Sequence, residues 1–351
     1  MKLLHCADLH IGRSRKLPLY LERQDQMLTE IYRIARKHTD GLVLIAGDIY
    51  DRLDLLPRER DLFIQHLCRA DHDGLTTVLI SGNHDMIDDA DGGYTHLRSL
   101  RVLAEQRRLR RTHVIETHQA VVRLEQFGIN LIAVPSRYRK TTEVNSIVGA
   151  CVAQHKLGPQ HTTVALVHET VLDSQNDYGK RFGTDIGSAQ HCVELDASLP
   201  IRYWALGDIH TPQQIHGCPH AHYSGAPIQH DFGDTGVRGV LVVDLERPTE
   251  PQLRKLRNIK QLVTVRVTPN TKSSDIPSDA YVRLLGPAEQ LRPLQTAEQV
   301  VSCAPTAPPV SRIHDIAPEN TLDGLPELLG ELGLSEADMR WCVDEAQRCL
   351  V

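Results

Sequence analysis

The sequence lacks three features that would place it in a simple class of proteins. No run approaches the roughly 18–20 consecutive apolar residues that a membrane-spanning helix requires. None of its eight cysteines forms a Cys-x-x-Cys pair, and eight scattered cysteines in 351 residues are too few for a disulfide framework. The formal net charge is −6, so the chain lacks the overall positive charge typical of nucleic-acid binders. We therefore expect a globular protein with reduced thiols, in which any contact with an anionic partner depends on local charge.

The first residues and the chain length set further expectations. Met1-Lys2 leads directly into a polar motif, without the apolar stretch of a signal peptide. Together with the reduced cysteines, this predicts a cytoplasmic protein with no membrane association. A chain of 351 residues can hold one domain of about 250 residues and a smaller one.

Five short apolar runs end in polar residues that can bind a divalent metal ion. Each run has the length and the Leu, Val and Ile content of a buried strand. The five ends are Asp8-Leu9-His10, Gly47-Asp48-Ile49-Tyr50-Asp51, Gly82-Asn83-His84-Asp85, Val167-His168-Glu169 and Gly207-Asp208-Ile209-His210. A sixth run, 237–245, ends at Asp244, and we expect it only to complete a sheet. Carboxylates, imidazoles and one amide at separate strand ends are what a two-metal phosphoester hydrolase requires.

The pattern of apolar residues predicts an α/β fold. Segments with helical periodicity alternate with the early strands, and closely spaced strands follow them. The predicted strands are 1–7, 41–47, 76–81, 162–167 and 201–206, the predicted helices are 21–38, 57–70 and 94–109, a β-meander covers 112–117, 120–125 and 129–134, and further strands cover 221–224 and 237–245. These elements favour a sandwich of two mixed β-sheets flanked by helices. Because ligands collect at the carboxyl ends of strands in α/β sheets, all five polar motifs are expected at one edge.

The strand-end residues divide into two predicted metal positions. Hydrolysis of a phosphodiester needs a nucleophilic hydroxide, neutralised phosphoryl charge and a proton for the departing oxygen, and two metal ions about 3.5–4 Å apart supply the first two. A carboxylate is the favoured bridge between the ions, and we assign this role to Asp48. The other predicted ligands are Asp8, His10 and His210 for one ion, and Asn83, His168 and Asp208 for the other. Mixed nitrogen and oxygen ligands favour manganese, iron or zinc over magnesium.

A proton donor and a basic cluster are predicted beside the metal positions. His84 follows the predicted ligand Asn83 and is our candidate general acid. Either Asp85 or Asp51 is expected to orient its second ring nitrogen. A basic cluster after the first motif is the candidate contact for an anionic DNA backbone, and it consists of Arg13, Arg15 and Lys16.

The motifs, taken together, resemble those of a known family. They are similar to the SbcD-type nucleases, the meiotic-recombination nuclease family, within the calcineurin-like metallophosphoesterase superfamily. The segments that carry the resemblance are Leu4-His5-Cys6-Ala7-Asp8-Leu9-His10, Ala205-Leu206-Gly207, Ile209-His210, Pro212-Gln213, Tyr223-Ser224-Gly225-Ala226-Pro227-Ile228 and Phe232-Gly233, followed by the Gly239–Asp244 strand. The resemblance covers residues 1–245, and beyond them only the layout of a small cap and C-terminal helices is similar.

The resemblance implies a calcineurin-like phosphoesterase sandwich and a manganese-dependent DNA exonuclease/endonuclease. Such proteins are usually homodimers that act in DNA end processing and double-strand break repair with an SbcC-type ABC ATPase bearing a long coiled coil. The expected domains are a metallophosphoesterase nuclease domain at 1–247, a small α+β cap at 248–303, a Pro-rich linker at 304–320 and a C-terminal helical segment at 321–351. In the family such a C-terminal segment docks on the ATPase, so 321–351 is the candidate partner site.

Two residues depart from the family pattern. The family usually has Gly-His-x-His where this chain has Gly207-Asp208-Ile209-His210. We expect Asp208 to retain metal binding and to favour harder ions such as manganese or magnesium, while a weakened site is the alternative. At Asp51 some members have a histidine tied to exonuclease action, so the division between exonuclease and endonuclease activity stays open.

Two alternative functions remain open from the sequence, and one further cluster of potential metal ligands has to be considered. A small-molecule or cyclic-nucleotide metallophosphodiesterase would use the same metal-binding residues. A DNA-tethering or ATPase-scaffold protein with a vestigial site is the non-enzymatic alternative, which only Asp208 supports. The spacing of His216, Cys218, His220 and His222 would place four potential ligands on one face of a hairpin, but no second ligand pair is evident, so we expect no zinc there.

Overall fold

The computed structural model describes residues 1–88, 94–136, 144–176, 181–182, 192–234 and 236–305. Two six-stranded β-sheets form the centre of the fold. In spatial order, the first sheet consists of β14 (Gln252–Arg254), β13 (Val240–Asp244), β1 (Lys2–Cys6), β2 (Leu42–Ala46), β3 (Thr76–Ile80) and β6 (Thr112–Ile115). Strands β1, β2, β3 and β6 are parallel, and β13 pairs antiparallel with β1. The last apolar run therefore completes this sheet, as expected.

The second sheet has the same number of strands and is also mixed. In spatial order it consists of β11 (Gln213–Ile215), β12 (Cys218–Tyr223), β10 (Tyr203–Gly207), β9 (Thr162–His168), β8 (Ile129–Val134) and β7 (Ala120–Leu124). Its four central strands are parallel, and the two edge strands are antiparallel to their neighbours. A short separate pair is formed by β4 (Met86–Asp88) and β5 (Tyr94–Thr95).

Alternating side chains of the central strands build two cores at once. In β2, Leu42 and Leu44 point into the core between the two sheets, whereas Val43 and Ile45 point into the core beneath the helices. The core between the two sheets also contains Val164 of β9, from the second sheet. This period of two in a fully buried strand explains why the parallel strands read as unbroken apolar runs in the sequence.

Four helices cover the outer faces of the sandwich. They are α1 (Tyr20–His38), α2 (Pro57–His72), α3 (Arg98–Glu105) and α4 (Val144–Gln154). The first three pack on the first sheet through residues such as Ile31 and Phe63, and α4 packs on the second through Val148. Among the described ranges, no helix has both the length and the apolar character to cross a membrane. The sandwich of two mixed sheets flanked by helices is confirmed.

Two expectations about the middle of the chain were wrong. The strands predicted as one meander at 112–134 are split between the sheets, because β6 pairs in parallel with β3 while β7 and β8 form a hairpin in the other sheet. The helix predicted at 94–109 is only α3, and it is preceded by β5. The five polar motifs accordingly come from the strand ends of two sheets and not from one sheet edge.

Within the described residues, 265–275 and 284–305 form a second compact unit, and the rest of the chain up to residue 283 belongs to the first. A three-stranded sheet in the order β15 (Gln261–Arg266), β16 (Ala280–Gly286) and β17 (Val300–Pro305) spans this part of the chain, with a short α5 (Ala288–Leu291) where 288–296 was predicted. The expected domain boundaries stay predictions. The linker beyond residue 305 and the C-terminal segment 321–351 lie outside the described residues.

Candidate metal centre

The predicted metal ligands meet where the strands of both sheets end. Backbone hydrogen bonds continue the pairing of β1 and β2 past their ends, from Asp8 N to Gly47 O (3.1 Å) and from His10 N to Asp48 O (3.0 Å). Asn83 follows β3, His168 is the last residue of β9, and Asp208 follows β10. The structure therefore brings residues from five strand ends together, because β9 and β10 face β1, β2 and β3 across the core.

Several of these residues have a backbone conformation that side chains normally avoid. The φ angles are 55° at Asp8, 45° at His10, 51° at Asp48 and 104° at Asp208. Left-handed backbone at non-glycine residues costs of order 1–3 kcal/mol each and is concentrated at functional sites. Four of the predicted ligands thus adopt a conformation that the fold must hold in place.

The glycine at 82 permits close approach around Asp48. A Cβ atom at Gly82 would overlap the carboxylate and the main-chain nitrogen of Asp48. Gly47 has φ of 88°, and a Cβ atom there would overlap the ring of His168. The Gly-Asp and Gly-Asn-His-Asp motifs therefore contain glycine because ligands from neighbouring loops occupy the space of a side chain.

One group of ligands contains two imidazoles and a buried carboxylate. His10 Nε2 lies 3.1 Å from His210 Nε2, and the two rings meet edge to face. Asp8 is fully buried, and its Oδ1 accepts a hydrogen bond from the main-chain nitrogen of Asp208 (3.1 Å). Its other oxygen, Oδ2, has no hydrogen-bond partner among the described residues. A buried carboxylate oxygen without a partner is costly unless a cation or proton satisfies it, so this donor set fits a metal ion.

The second group centres on His168. Its Nε2 lies 2.9 Å from Asn83 Oδ1 and 3.9 Å from Asp208 Oδ1. Its Nδ1 lies 2.6 Å from the main-chain oxygen of Ala46 and donates to it, so in the neutral ring that would bind a metal the lone pair is on Nε2, which faces the other ligands. Histidines that bind metals commonly donate their second ring N–H to a carbonyl in this way. Asp208 also accepts a hydrogen bond from the Thr170 hydroxyl.

Asp48 lies between the two groups. Its Oδ2 is 3.5 Å from His10 Nε2, and its Oδ1 is 3.4 Å from His168 Nε2. Burial alone would raise the pKa of Asp48, but the imidazoles of His168 and His10 outweigh burial and lower it. One oxygen of Asp48 therefore faces each group, which is the position predicted for a bridging ligand.

The concentrated carboxylates create a strong attraction for cations. Burial raises the pKa of Asp8 well above its usual value, and the neighbouring charges of Asp48 and Asp208 raise it further. Burial by itself lowers the pKa of His168, yet Asp48, Asp208 and Asp8 raise it to about 9. Two buried carboxylates, Asp8 and Asp48, and the partly buried Asp208 repel one another in one pocket. They need positive charge nearby, which divalent ions at these positions would supply.

His84 has the environment expected for a proton donor. Its Nδ1 donates to the main-chain oxygen of Asp51 at 3.0 Å, and its main-chain nitrogen donates to Asp48 Oδ1 at 3.0 Å. The Asp51 carboxylate lies 3.9 Å from the same Nδ1 and 3.1 Å from His10 Nδ1. Of the two aspartates considered for orienting His84, the structure therefore favours Asp51.

Asp85 has a different environment from the one expected. Its buried carboxylate accepts hydrogen bonds from three main-chain nitrogens, those of Ile49 (3.1 Å), Tyr50 (2.8 Å) and Gly82 (2.9 Å). Burial, with the nearby charge of Asp48, raises the pKa of Asp85 to about 7. The carboxylate thus ties the loops after β2 and β3 together, and its role beside His84 stays a prediction.

The predicted basic cluster is only partly available to a ligand. Arg15 binds the fully buried Glu59 through two nitrogens, at 2.7 and 2.6 Å, and Asp54 at 2.8 Å. Arg13 Nη1 lies 3.2 Å from the Asp51 carboxylate, and Lys16 is exposed. Arg13 and Lys16 therefore remain candidates for binding an anion, and Arg15 has a structural role.

Sequence reasoning missed His230, which lies in the loop between β12 and β13. The ring centroid of His230 is 4.8 Å from that of His10 and 5.3 Å from that of His210. The only signal in the sequence was its position next to the Ser224–Ile228 segment that supported the family resemblance.

The histidines and the cysteine near β12 are not among the described residues whose ligand atoms come close enough together to hold a metal ion. Cys218 and His222 are buried, whereas His216 is exposed and precedes the strand. Among the described residues, three groups of His, Cys, Asp or Glu bring their ligand atoms within 4.8 Å of one another, and all three lie at the strand ends. They are His10 with His210 and His230, His10 with Asp48 and His84, and Asp8 with Asp48 and His168.

Comparison with known proteins agrees with this arrangement. Residues 1–178 match the model of the calcineurin-like phosphoesterase family. The chain is 25% identical to a subunit of the SbcCD nuclease of Bacillus subtilis over 268 residues, which are 70% of this chain and 66% of that protein. It is 23% identical to the corresponding SbcCD protein of Escherichia coli K12 over 67% of this chain and 62% of the relative. It is 22% identical to "DNA double-strand break repair protein Mre11" of Methanopyrus kandleri over 70% of this chain and 54% of the relative. The matched region thus spans slightly less than two thirds of the first relative, and less of the other two.

Proposed function

The chain belongs to the calcineurin-like phosphoesterases, and we propose that it is an SbcD-type nuclease that hydrolyses phosphodiester bonds of DNA with two divalent metal ions. Three relatives that share about two thirds of this chain are named as nucleases or a break-repair protein, which supports DNA as the substrate. We extend the proposal to DNA end processing and double-strand break repair on the same ground. Exonuclease and endonuclease action are both included, because the residues at the site do not separate them.

The position of Asp48 carries the proposal. Its two oxygens face different ligand groups, with His10 on one side and His168 on the other. Ions held by these groups would activate water and neutralise charge on the phosphoryl oxygens. Manganese is our choice of ion, because the site mixes imidazoles with carboxylates and an amide oxygen.

His84 is assigned the proton that the departing oxygen needs. Because the carbonyl of Asp51 can only accept, the hydrogen on His84 Nδ1 is fixed, and Nε2 is the atom that gains and loses a proton. The Asp51 carboxylate lies 3.9 Å from the same Nδ1. Half-exposed His84 can therefore deliver a proton from Nε2 to an oxygen in the pocket while its ring stays oriented.

Partners are proposed from the names of the relatives. The bacterial relatives are each named as one member of the SbcCD complex, so we propose an SbcC-type coiled-coil ABC ATPase as the partner of this chain. Residues 321–351, outside the part of the chain that the structure describes, are the proposed docking segment, and a homodimer is the proposed assembly. Arg13 and Lys16, close to the metal positions in sequence, are proposed contacts for the DNA backbone.

A cleavage assay with manganese tests the function. End-labelled single- and double-stranded DNA would be incubated with wild-type protein, with His84→Ala and with His113→Ala, a half-buried histidine of β6 that serves as the control. Bis(p-nitrophenyl) phosphate would be hydrolysed in parallel. We expect wild type and His113→Ala to cut DNA and His84→Ala to lose roughly 10²–10⁴-fold in rate, the usual contribution of a general acid. Hydrolysis of the small ester with both DNA substrates untouched would favour the small-molecule phosphodiesterase.

A further inference from the structure

His230 is a buried histidine that the two predicted ligand sets leave out. It is 4% exposed and lies in the loop that connects β12 to β13. Its ring packs edge to face against both His10 and His210. The ligand atoms of these three histidines all lie within 4.8 Å of one another. Three imidazoles, delivered by the ends of β1, β10 and β12, therefore surround one small volume.

The hydrogen bond of His230 determines which nitrogen is free. Nε2 lies 3.0 Å from the main-chain oxygen of Asp8. A carbonyl oxygen can only accept, so Nε2 carries the hydrogen and Nδ1 carries the lone pair of the neutral ring. His168 shows the same arrangement with its nitrogens exchanged, because its Nδ1 donates to the Ala46 oxygen and its Nε2 faces the ligands. This arrangement is typical of histidines that bind a metal.

The backbone around His230 is fixed on several sides. Its main-chain nitrogen donates to Asp234 Oδ2 at 2.7 Å, and its main-chain oxygen accepts a hydrogen bond from the Ser14 hydroxyl. Arg238 lies 3.7 Å from Asp234 Oδ1 and also donates to the main-chain oxygen of His210. The loop that carries His230 is thereby joined to the loops that carry His10 and His210. A side chain held this firmly can act as a ligand without a large loss of conformational entropy on binding.

We propose that His230 supplies a third imidazole, through Nδ1, to the metal position formed by Asp8, His10 and His210. The inference rests on the proposed two-metal site. A third imidazole would make the ligands of the two metal positions unequal. One position would have three imidazoles, whereas the other has Asp208, Asn83 and a single imidazole, and Asp48 bridges the two. Nitrogen-rich ligands favour cobalt or zinc over manganese, so the two positions are expected to differ in ion preference.

Cobalt titration of metal-free protein tests the ligand role directly. Co(II) absorption reports the ligands of the ion, and isothermal titration gives the affinity of each position. The variants are His230→Gln, whose amide nitrogen can still donate to the Asp8 oxygen but which has no imidazole Nδ1, and His66→Gln, a control at a buried histidine of α2 that pairs with Asp25. We expect His230→Gln to weaken one of two cobalt sites by roughly 100-fold or more and to shift its spectrum. Residues that only orient a ligand cost about 10–100-fold.

The outcomes separate this inference from the proposed function. Wild-type spectra and affinities in His230→Gln would show that His230 only positions Asp8, and would overturn the ligand role. If His230→Gln fails to fold, the wild-type protein is used instead. Pulsed electron paramagnetic resonance with Mn(II) and ¹⁵N-labelled histidine then counts the imidazole nitrogens bound to each ion. Three imidazole nitrogens on one ion support the proposal, and two or fewer on each ion contradict it. If three imidazoles bind one ion but the protein does not cleave DNA, the proposed nuclease function would be contradicted. The proposed role of His230 as a metal ligand would still stand.

Discussion

Two histidines of the same sheet, both buried, have opposite electrostatic environments. Burial by itself lowers the pKa of His168, at the end of β9, but Asp48, Asp208 and Asp8 raise it to about 9. Burial, with a smaller contribution from nearby His220, lowers the pKa of His222, within β12, to about 4. The difference between the two histidines is the group of carboxylates that surrounds His168 and is absent from the causes of the His222 shift.

The position along the strand explains this difference. His222 stands within its strand, paired with Ala205, and its ring stacks on that of Tyr203 at 5.8 Å. Across the core, His5 hydrogen-bonds the Tyr203 hydroxyl (3.0 Å) and the main-chain oxygen of Leu206 (3.1 Å). Burial lowers the pKa of both core histidines and keeps their rings neutral, although His222 Nδ1 has no hydrogen-bond partner among the described residues. At the strand ends, left-handed turns let carboxylates from several loops converge.

The largest expected effect comes from removing the carboxylate that unites the strand ends. Asp48→Ala should abolish binding of both ions, because each group loses the oxygen that faces it. We expect hydrolysis of bis(p-nitrophenyl) phosphate to fall by roughly 10³-fold or more, since a single donor that stabilises transition-state charge already contributes about 10²–10³-fold. Elemental analysis of dialysed protein measures the ions, and Asp196→Ala, at an exposed aspartate, is the control.

Retention of both ions by Asp48→Ala would contradict the bridging role. Loss of one ion would reduce Asp48 to a ligand of a single group. In either case the strand ends would hold two neighbouring metal sites and not one joined site. Each site would then be compared with the core histidines separately.

A smaller effect is expected where this chain departs from its family. Asp208→His restores the family residue but loses the acceptor of the Thr170 hydroxyl and the partly buried carboxylate of the pocket. We expect manganese-dependent activity to fall by roughly 10-fold, because a harder ligand is exchanged for a softer one in a position suited to manganese. Thr170→Val is the matched control, since it removes the hydrogen bond and keeps the carboxylate. A large gain in activity would show that Asp208 weakens the site.

The sequence contained most of the site and part of the fold. Asp8, Asp48 and Asn83 were predicted as ligands because each follows an apolar run, and local pattern is enough to place a residue at a strand end. The assignment of β6 and β7 to different sheets was not predictable, since both are short strands and their partners lie far away in sequence. His230 was missed for a similar reason. It follows no apolar run, and its neighbours His10 and His210 are brought to it by long-range contacts alone.

Asp85 shows the limit of sequence proximity. It adjoins His84 and was one of two aspartates considered for orienting that ring, but the side chains of consecutive residues point in different directions. Its carboxylate instead accepts the main-chain hydrogen bonds of the loop after β2. Adjacency along the chain therefore predicted which loop the residue belongs to and not what it binds.

The smallest expected effect concerns the core histidine, and it appears only as the pH falls. The folded-state pKa of His222 is about 4 and its model-peptide value is 6.5, so the unfolded chain binds more protons between these values. Stability is therefore lost as the pH falls below 6.5, and His222 should account for roughly 0.5–1 kcal/mol of the loss between pH 7 and pH 6. Urea unfolding of wild type and His222→Leu at both pH values measures it. The variant should lose less stability on acidification, whereas His118→Leu, at an exposed histidine, should behave as wild type. Equal loss of stability on acidification in His222→Leu and wild type would mean that the folded protein tolerates a protonated His222. The proposed contrast between core and strand-end histidines would then not hold for His222.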